Sequence, residues 1–285
     1  MLNNLERVQI LSDLLPSIQC LYGCTIVIKY GGSAMKNINL KSKIIEDILF
    51  LYYIGVKVVI VHGGGPIINY WLKQMNIEPK FFNGIRMTDK ETMELVEMVL
   101  VGKVNKDLVS LLNYSSNIAV GLSGKDANLI TASSFFPDQS DNYTGKVKRV
   151  NLEIINLLLS RGYIPVIASV ASDVNGQTYN INADSVAGAI AESLNADKLV
   201  LLTDTPGIML NINDPSTLIH NLNIKQLEDL KNQKIILGGM IPKVDCCIKA
   251  LKQNVGAAHI INGSIKHALL LEILTSVSIG SKLVA

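Results

Sequence analysis

The sequence predicts an α/β fold, with a mainly parallel sheet and helices on both of its faces. Short β-branched runs alternate with longer amphipathic segments along most of the chain. Several of these runs end in glycine turns, the places where open parallel sheets bind ligands. Size agrees: 285 residues, 48% of them hydrophobic, can bury a large core as one α/β domain or two closely joined lobes.

Taken in order, the first segment carries Leu5, Val8, Leu11, Leu14, Leu15, Ile18 and Leu21, mostly three or four apart. This spacing predicts a helix with one apolar face, free to pack on its own body or on another subunit, which Pro16 should kink or divide. Strands are predicted at 25–30, 56–61, 118–121, 164–169, 198–203 and 257–261. Helices are predicted at 40–53, 66–75, 91–112, 152–160, 183–194, 241–254 and 267–275, the third of them with a possible split near Gly102. Between 128 and 150, Pro137, Asp138, Asp141, Asn142 and Gly145 interrupt the pattern and predict hairpins or a surface excursion. A new strand–turn–helix series starts after Asn195, so the expected division is an arm at 1–24, one lobe at 25–195 and a second at 196–285.

Lys and Arg number 26 against 24 Asp and Glu, a formal charge of +2, and no basic run suggests a nucleic-acid tract. A small-molecule partner is the better expectation. No basic start followed by an apolar stretch marks a secretory signal, and no run of about 18 apolar residues marks a membrane span, so a soluble, intracellular protein is expected. Abundant Ile, Asn and Lys hint at an AT-rich genome, which fits a bacterial cytoplasm or a plastid stroma. Four cysteines, Cys20, Cys24, Cys246 and Cys247, match no zinc spacing and read as reduced structural thiols.

Five motifs carry chemistry. Strand 25–30 runs into Gly31-Gly32-Ser33, which puts Lys29 at a buried strand end as a mobile cation beside backbone N–H groups suited to phosphate. Strand 56–61 ends in His62-Gly63-Gly64-Gly65-Pro66, an anion cradle before a helix that Pro66 is suited to start. Asn83-Gly84-Ile85-Arg86-Met87-Thr88 is a turn whose arginine can fork onto a carboxylate. Tyr179-Asn180-Ile181-Asn182-Ala183-Asp184 opens a helix, with Asp184 in the first turn, where it can hold lysines from elsewhere. Gly238-Gly239-Met240-Ile241-Pro242-Lys243 starts another helix with a cation opposing its dipole, which points to an anionic ligand. Neither a Walker loop, a Gly-x-Ser-x-Gly elbow nor a Gly-x-Gly-x-x-G after the first strand is present.

Jointly, and in this order, these motifs make the chain resemble the N-acetylglutamate kinases of the amino acid kinase family over essentially its whole length. The resemblance implies an open αβα sandwich, with an N-terminal lobe for the acyl amino acid and a C-terminal lobe for ATP. It implies that Gly64, Gly65, Arg86 and Asn180 hold N-acetyl-L-glutamate, and that Lys29 and Lys243 stabilise the transition state, organised by Asp184. Gly31 and Gly32 would contact the phosphates. The nucleotide would lie against Thr203, Asp204, Thr205, Gly207 and Met209 on one side and Ile235, Leu237, Gly238 and Gly239 on the other. Mg²⁺ is expected to arrive with ATP rather than in a protein cage.

The N-terminal helix resembles the arm of arginine-inhibited hexamers, trimers of dimers, in which arms interlace. Tyr22, His267, Glu272 and Gly280 are the implied contacts for L-arginine, although Ser278 and Ser281 depart from the Gly-Ile-Gly-Thr expected at that tail. The nitrogen-signalling PII protein is a further implied partner. Competing readings are a kinase for carrier-linked aminoadipate and a non-catalytic regulator responding to arginine or PII. Intact Lys29, Asp184 and Lys243 argue against the second.

Overall fold

The computed structural model describes residues 3–31, 35, 38–82, 84–275 and 277–285. After α1 (Asn4–Leu21) come β1 (Thr25–Tyr30), α2 (Ile38–Tyr53), β2 (Lys57–His62) and α3 (Gly65–Gln74). A hairpin of β3 (Lys80–Phe82) and β4 (Ile85–Met87) leads to α4 (Lys90–Glu97), which continues through a π-helical stretch (Met98–Val104) into α5 (Asn105–Leu112). Next are β5 (Ala119–Ser123), β6 (Ile130–Ser134), β7 (Thr144–Val150), α6 (Glu153–Ser160), β8 (Ile164–Ala168), β9 (Val170–Ser172), β10 (Thr178–Ile181) and α7 (Ala183–Leu194). The chain finishes with β11 (Lys198–Thr203), β12 (Asn221–Asn223), α8 (Ile224–Asn232), α9 (Met240–Lys252), β13 (Ala257–Asn262), α10 (Ala268–Leu274) and β14 (Ser281–Val284).

Eight strands form the central sheet in the order β12-β14-β13-β11-β1-β2-β8-β5. Every neighbouring pair is parallel except β13 with β14. Side chains alternate between two apolar layers, as a pleated strand requires. Ile26, Ile28 and Tyr30 of β1 enter one layer with Ile48 of α2, Leu108 of α5 and Leu269 of α10. Val27 enters the other with Val186 and Ile190 of α7 and Val244 of α9. The expected αβα sandwich is therefore present, and both layers draw on residues before and after Asn195. β1 lies where the strand order reverses, with β2 on one side and β11 on the other, so its C-terminal end opens the crevice in which such sheets bind ligands.

Several details differ from the sequence expectation. Pro16 does not divide α1, which runs unbroken from Asn4 to Leu21. A capping box between Asn3 and Glu6, and the packing of Leu14, Ile18 and Leu21 on the core, offset the hydrogen bond that proline removes. The segment 91–112 is not split at Gly102; it is one helical run whose middle turn is widened to π geometry. The excursion at 128–150 contains the antiparallel pair β6–β7, part of a small closed barrel β10-β7-β6-β9 beside the main sheet. β12, α8 and β14 were not anticipated.

Candidate active site

Three elements deliver one charged cluster. Lys29 stands at the C-terminal end of β1 and Asp184 in the first turn of α7, both buried, while Lys243 projects from the first turn of α9. Lys29 Nζ lies 3.0 Å from Asp184 Oδ1, and Lys243 Nζ lies 2.7 Å from Asp184 Oδ2. Asn182 caps α7 by accepting from the N–H groups of Asp184 at 2.8 Å and Ser185 at 3.2 Å, which fixes the turn carrying the carboxylate. The two helices pack closely because Gly188 leaves room for Cys246, whose thiol donates to the Asp184 carbonyl at 2.9 Å. Burial pushes the Asp184 carboxyl up, but Lys29 and Lys243 outweigh it and hold the group below its usual range. One carboxylate between two ammonium groups leaves a net positive site that suits an anion.

Over this cluster opens a cleft of about 320 Å³ whose walls include Lys29, Gly31, Gly64, Gly65, Arg86, Asn180, Asp184 and Lys243. Arg86, on β4, donates through Nη2 to Asn69 Oδ1 of α3, and its guanidinium lies 4.8 Å from the centre of the Phe81 ring. Its Nη1 is buried and unpaired among the described residues. Burial lowers the guanidinium pKa, yet the group stays cationic, so a residue that lines the cleft keeps a buried donor unmet among the described residues. The Arg86 carbonyl accepts from the hydroxyls of Thr88 at 3.2 Å and Thr144 at 2.8 Å, and Asn180 Nδ2 donates to Thr88 Oγ1 at 3.1 Å. Arg86 and Asn180 thus share one hydrogen-bonded frame. A carboxylate fits the arginine.

The glycine turn after β2 also lines the cleft. The N–H groups of Gly64 and Gly65 donate to no protein acceptor among the described residues. Behind the turn, His62 is fully buried and Asn105 Nδ2 lies 3.1 Å from its Nε2. Sequence reasoning missed Asn69 and Asn105. Asn69 left no signal, but Asn105 lies on the buried stripe that Leu108 and Leu112 continue, and an amide at such a position marks a polar partner inside.

The residues expected to hold the base lie at and after the C-terminal end of β11 and around the start of α9. Thr203 ends β11 and donates to Asp204 Oδ1 at 3.3 Å, and Thr205 Oγ1 is buried without a partner among the described residues. Gly207 packs against Ser281 and Leu218, and Met209 bridges Leu218. Ile235 is partly buried, Leu237 exposed, and Gly238 (φ +53°) and Gly239 lead into α9. None of these lines the 320 Å³ cleft. Gly238 lines a neighbouring groove of about 780 Å³ between α7, α9 and β7. Gly32 lies outside the described residues, as does Asn83.

The four residues expected to contact arginine are spread over the junction of α1, α2 and α10. Tyr22 is exposed at the end of α1, with its ring over Gly55. His267 pairs through Nδ1 with buried Asp47 Oδ1 at 2.6 Å. The Glu272 carboxylate meets His259 Nδ1 at 2.7 Å, the Ser278 hydroxyl at 2.8 Å, and the N–H groups of Ile279 at 2.9 Å and Gly280 at 3.2 Å. None of the four lines the groove of about 590 Å³ near the end of α1, which Cys20, Asp197, Lys198 and Lys282 border.

Comparison with known proteins places the chain in a family. The chain is 81% identical over 284 residues to an acetylglutamate kinase of Gracilaria tenuistipitata var. liui, covering 100% of both chains. It is 55% identical to an acetylglutamate kinase of Thermosynechococcus vestitus, covering 100% of this chain and 96% of that one. Among solved structures, an N-acetylglutamate synthase from Neisseria gonorrhoeae shares the fold with a TM-score of 0.85 at 23% identity, over 98% of this chain and 63% of that chain. The carbamate kinase of Giardia lamblia follows with a TM-score of 0.65 at 18% identity, over 92% of this chain and 98% of its own. With residues 25–262 matching the profile of the amino acid kinase family, the chain belongs to that family.

Proposed function

We propose that the chain transfers the γ-phosphoryl group of ATP to the side-chain carboxylate of N-acetyl-L-glutamate, giving N-acetyl-L-glutamyl 5-phosphate and ADP, the second step of arginine biosynthesis. The observation that carries this reading is the Lys29–Asp184–Lys243 cluster in a cleft that Arg86, Gly64 and Gly65 also line, with the Arg86 Nη1 and the two glycine N–H groups unpaired among the described residues. Full-length relatives named acetylglutamate kinase support the choice of acceptor.

A carboxylate of pKa about 4.3 is already ionised at neutral pH, so no general base is needed. The obstacle is bringing that anion up to a negatively charged phosphoryl group. Arg86 and Asn180 would hold the far end of the acceptor, and Gly64 and Gly65 would donate to it. Its side-chain oxygen then forms a bond to the γ-phosphorus as the bond to the β-phosphate oxygen breaks, and ADP leaves with the electron pair. Lys29 and Lys243 neutralise the charge that accumulates on the transferring oxygens, and Asp184 keeps the two ammonium groups at fixed positions. The base would lie against Thr203–Met209 and 235–239. Mg²⁺ would be held by phosphate oxygens, because Asp184 is the acidic residue lining the cleft and both its oxygens are committed to lysines. When bound, it supplies charge neutralisation on the phosphates.

Regulation by L-arginine and assembly as a hexamer, a trimer of dimers, belong to the same proposal. Leu5, Val8, Leu11 and Leu15 of α1 are exposed, which supports docking of α1 on the α1 of another copy. The test is ADP release from MgATP with N-acetyl-L-glutamate, glutamate, aspartate, carbamate and UMP offered separately, each with and without L-arginine. Turnover confined to the acetylated acid and suppressed by arginine is expected; no turnover with that acceptor overturns the assignment.

A further inference from the structure

We infer that His62 and Asn105 form a positioning pair that aims the Gly64 N–H into the acceptor cleft by fixing which imidazole nitrogen carries the proton. The inference rests on the acceptor reading above for its kinetic consequence, but not for its chemistry.

The Asn105 side chain can be oriented in one way. Its Nδ2 lies 2.8 Å from the Val166 carbonyl and 3.3 Å from the Leu122 carbonyl, and carbonyl oxygens only accept, so the amino end must face them. On the other side, Oδ1 accepts from Lys106 Nζ at 3.2 Å, and Gly121 leaves the space in which that oxygen sits. The same amino group stands 3.1 Å from His62 Nε2. Its two hydrogens cannot serve all three acceptors at once, but an N–H on Nε2 would point at a group that only donates, so Nε2 is the unprotonated nitrogen. The proton is therefore on Nδ1, which lies 3.0 Å from the Gly63 carbonyl and donates to it.

That bond sets the direction of the next N–H. No cis peptide occurs among the described residues, and in a trans peptide the C=O and the following N–H point in opposite directions. With the Gly63 carbonyl held toward the buried imidazole, the Gly64 N–H faces away from the core, toward the cleft that Gly63, Gly64 and Gly65 line. It finds no protein acceptor there among the described residues, as expected of a donor kept for a ligand. The imidazole itself never reaches the cleft, so His62 acts through the Gly63–Gly64 peptide.

The experiment is nuclear magnetic resonance of the full chain labelled in its histidine side chains. The four histidines are distinguished by the loss of one signal set in His62→Gln. Wild type is expected to show His62 protonated on Nδ1 and bare on Nε2. In Asn105→Asp the carboxylate only accepts, so the proton is expected to move to Nε2 and release Gly63. KM for N-acetyl-L-glutamate should then rise about tenfold while kcat and KM for MgATP stay within roughly twofold, as befits loss of one aimed donor. A wild-type His62 protonated on Nε2 overturns the inference, and so does Asn105→Asp with an inverted tautomer and unchanged KM. The wild-type tautomer is read without substrate and without any variant at Asn105, so it decides the inference even where that variant misfolds. It does so also where acetylglutamate is not turned over, a result that would count against the acceptor assignment instead.

Discussion

Leu100 fills the volume that any side chain on Gly64 would need: a Cβ there would come within 2.5 Å of Leu100 Cδ2 and 3.3 Å of Val104 Cγ2. The π-helical stretch is thus the floor against which the glycine turn rests. Gly64→Ala should displace the turn and raise the acceptor KM by about tenfold or more, since an overpacked site must shift backbone. Adding Leu100→Ala to the same chain should recover part of the loss. Steady-state kinetics on both variants checks this, and a Gly64→Ala enzyme with unchanged KM contradicts it.

Lys29→Ala and Lys243→Ala should each lower kcat on the order of a hundredfold or more, because charge stabilisation at the transferring group is lost while the rest of the cleft persists. Asp184→Ala differs in kind. It leaves two cations together in a buried place and should cost about 3 kcal/mol of stability. Single-turnover rates and urea unfolding separate the two effects, and near-normal rates in both lysine variants would remove the cluster from the mechanism.

Arg86→Lys keeps the charge but loses the planar fork, and is expected to raise acceptor KM by about tenfold with little change in KM for MgATP. Asn69→Ala should act in the same direction more weakly, because it frees the guanidinium that Asn69 now holds. Equal effects on both substrates would contradict the division of the cleft.

Burial lowers the His62 pKa from 6.5 to about 4. The unfolded chain therefore binds more protons than the native one between those values, so stability falls as pH drops from about 6.5 toward 4, by roughly 3 kcal/mol at most from this residue. Asp184, held below its usual range, adds a loss at still lower pH as its carboxylate is protonated. Urea titrations at stepped pH should show a shallower decline between pH 6.5 and 4 in His62→Gln than in wild type.

Deleting residues 1–20 removes the exposed leucines of α1 and should convert a hexamer into dimers in sedimentation velocity; an unchanged hexamer would place the contact elsewhere.

The sequence carried β1, β11 and α7 to the residue, because each is bounded by strong local signals: β-branched runs against glycine or polar turns, and Asn182 as a cap. It carried the cleft residues as motifs at two strand ends, in one turn and at two helix starts. What it could not carry depends on distant pairing. β12 and β14 are only three and four residues long, and they become strands by hydrogen bonding at one edge of the sheet. The barrel joins β6, β7, β9 and β10 across about fifty positions, so locally it looked like a break in pattern. The π-helical stretch leaves the apolar spacing of 91–112 intact, so the sequence marks the place only through Gly102, as a possible split rather than a widened turn.

The ladder from β5 to β12 has no gap, and β1 is bonded directly to β2 on one side and β11 on the other. The two halves of the molecule are thus joined by paired strands rather than by a linker alone. Relative movement of the two halves across this ladder is carried by the twist between adjoining strands, and so is shared among them rather than confined to one link.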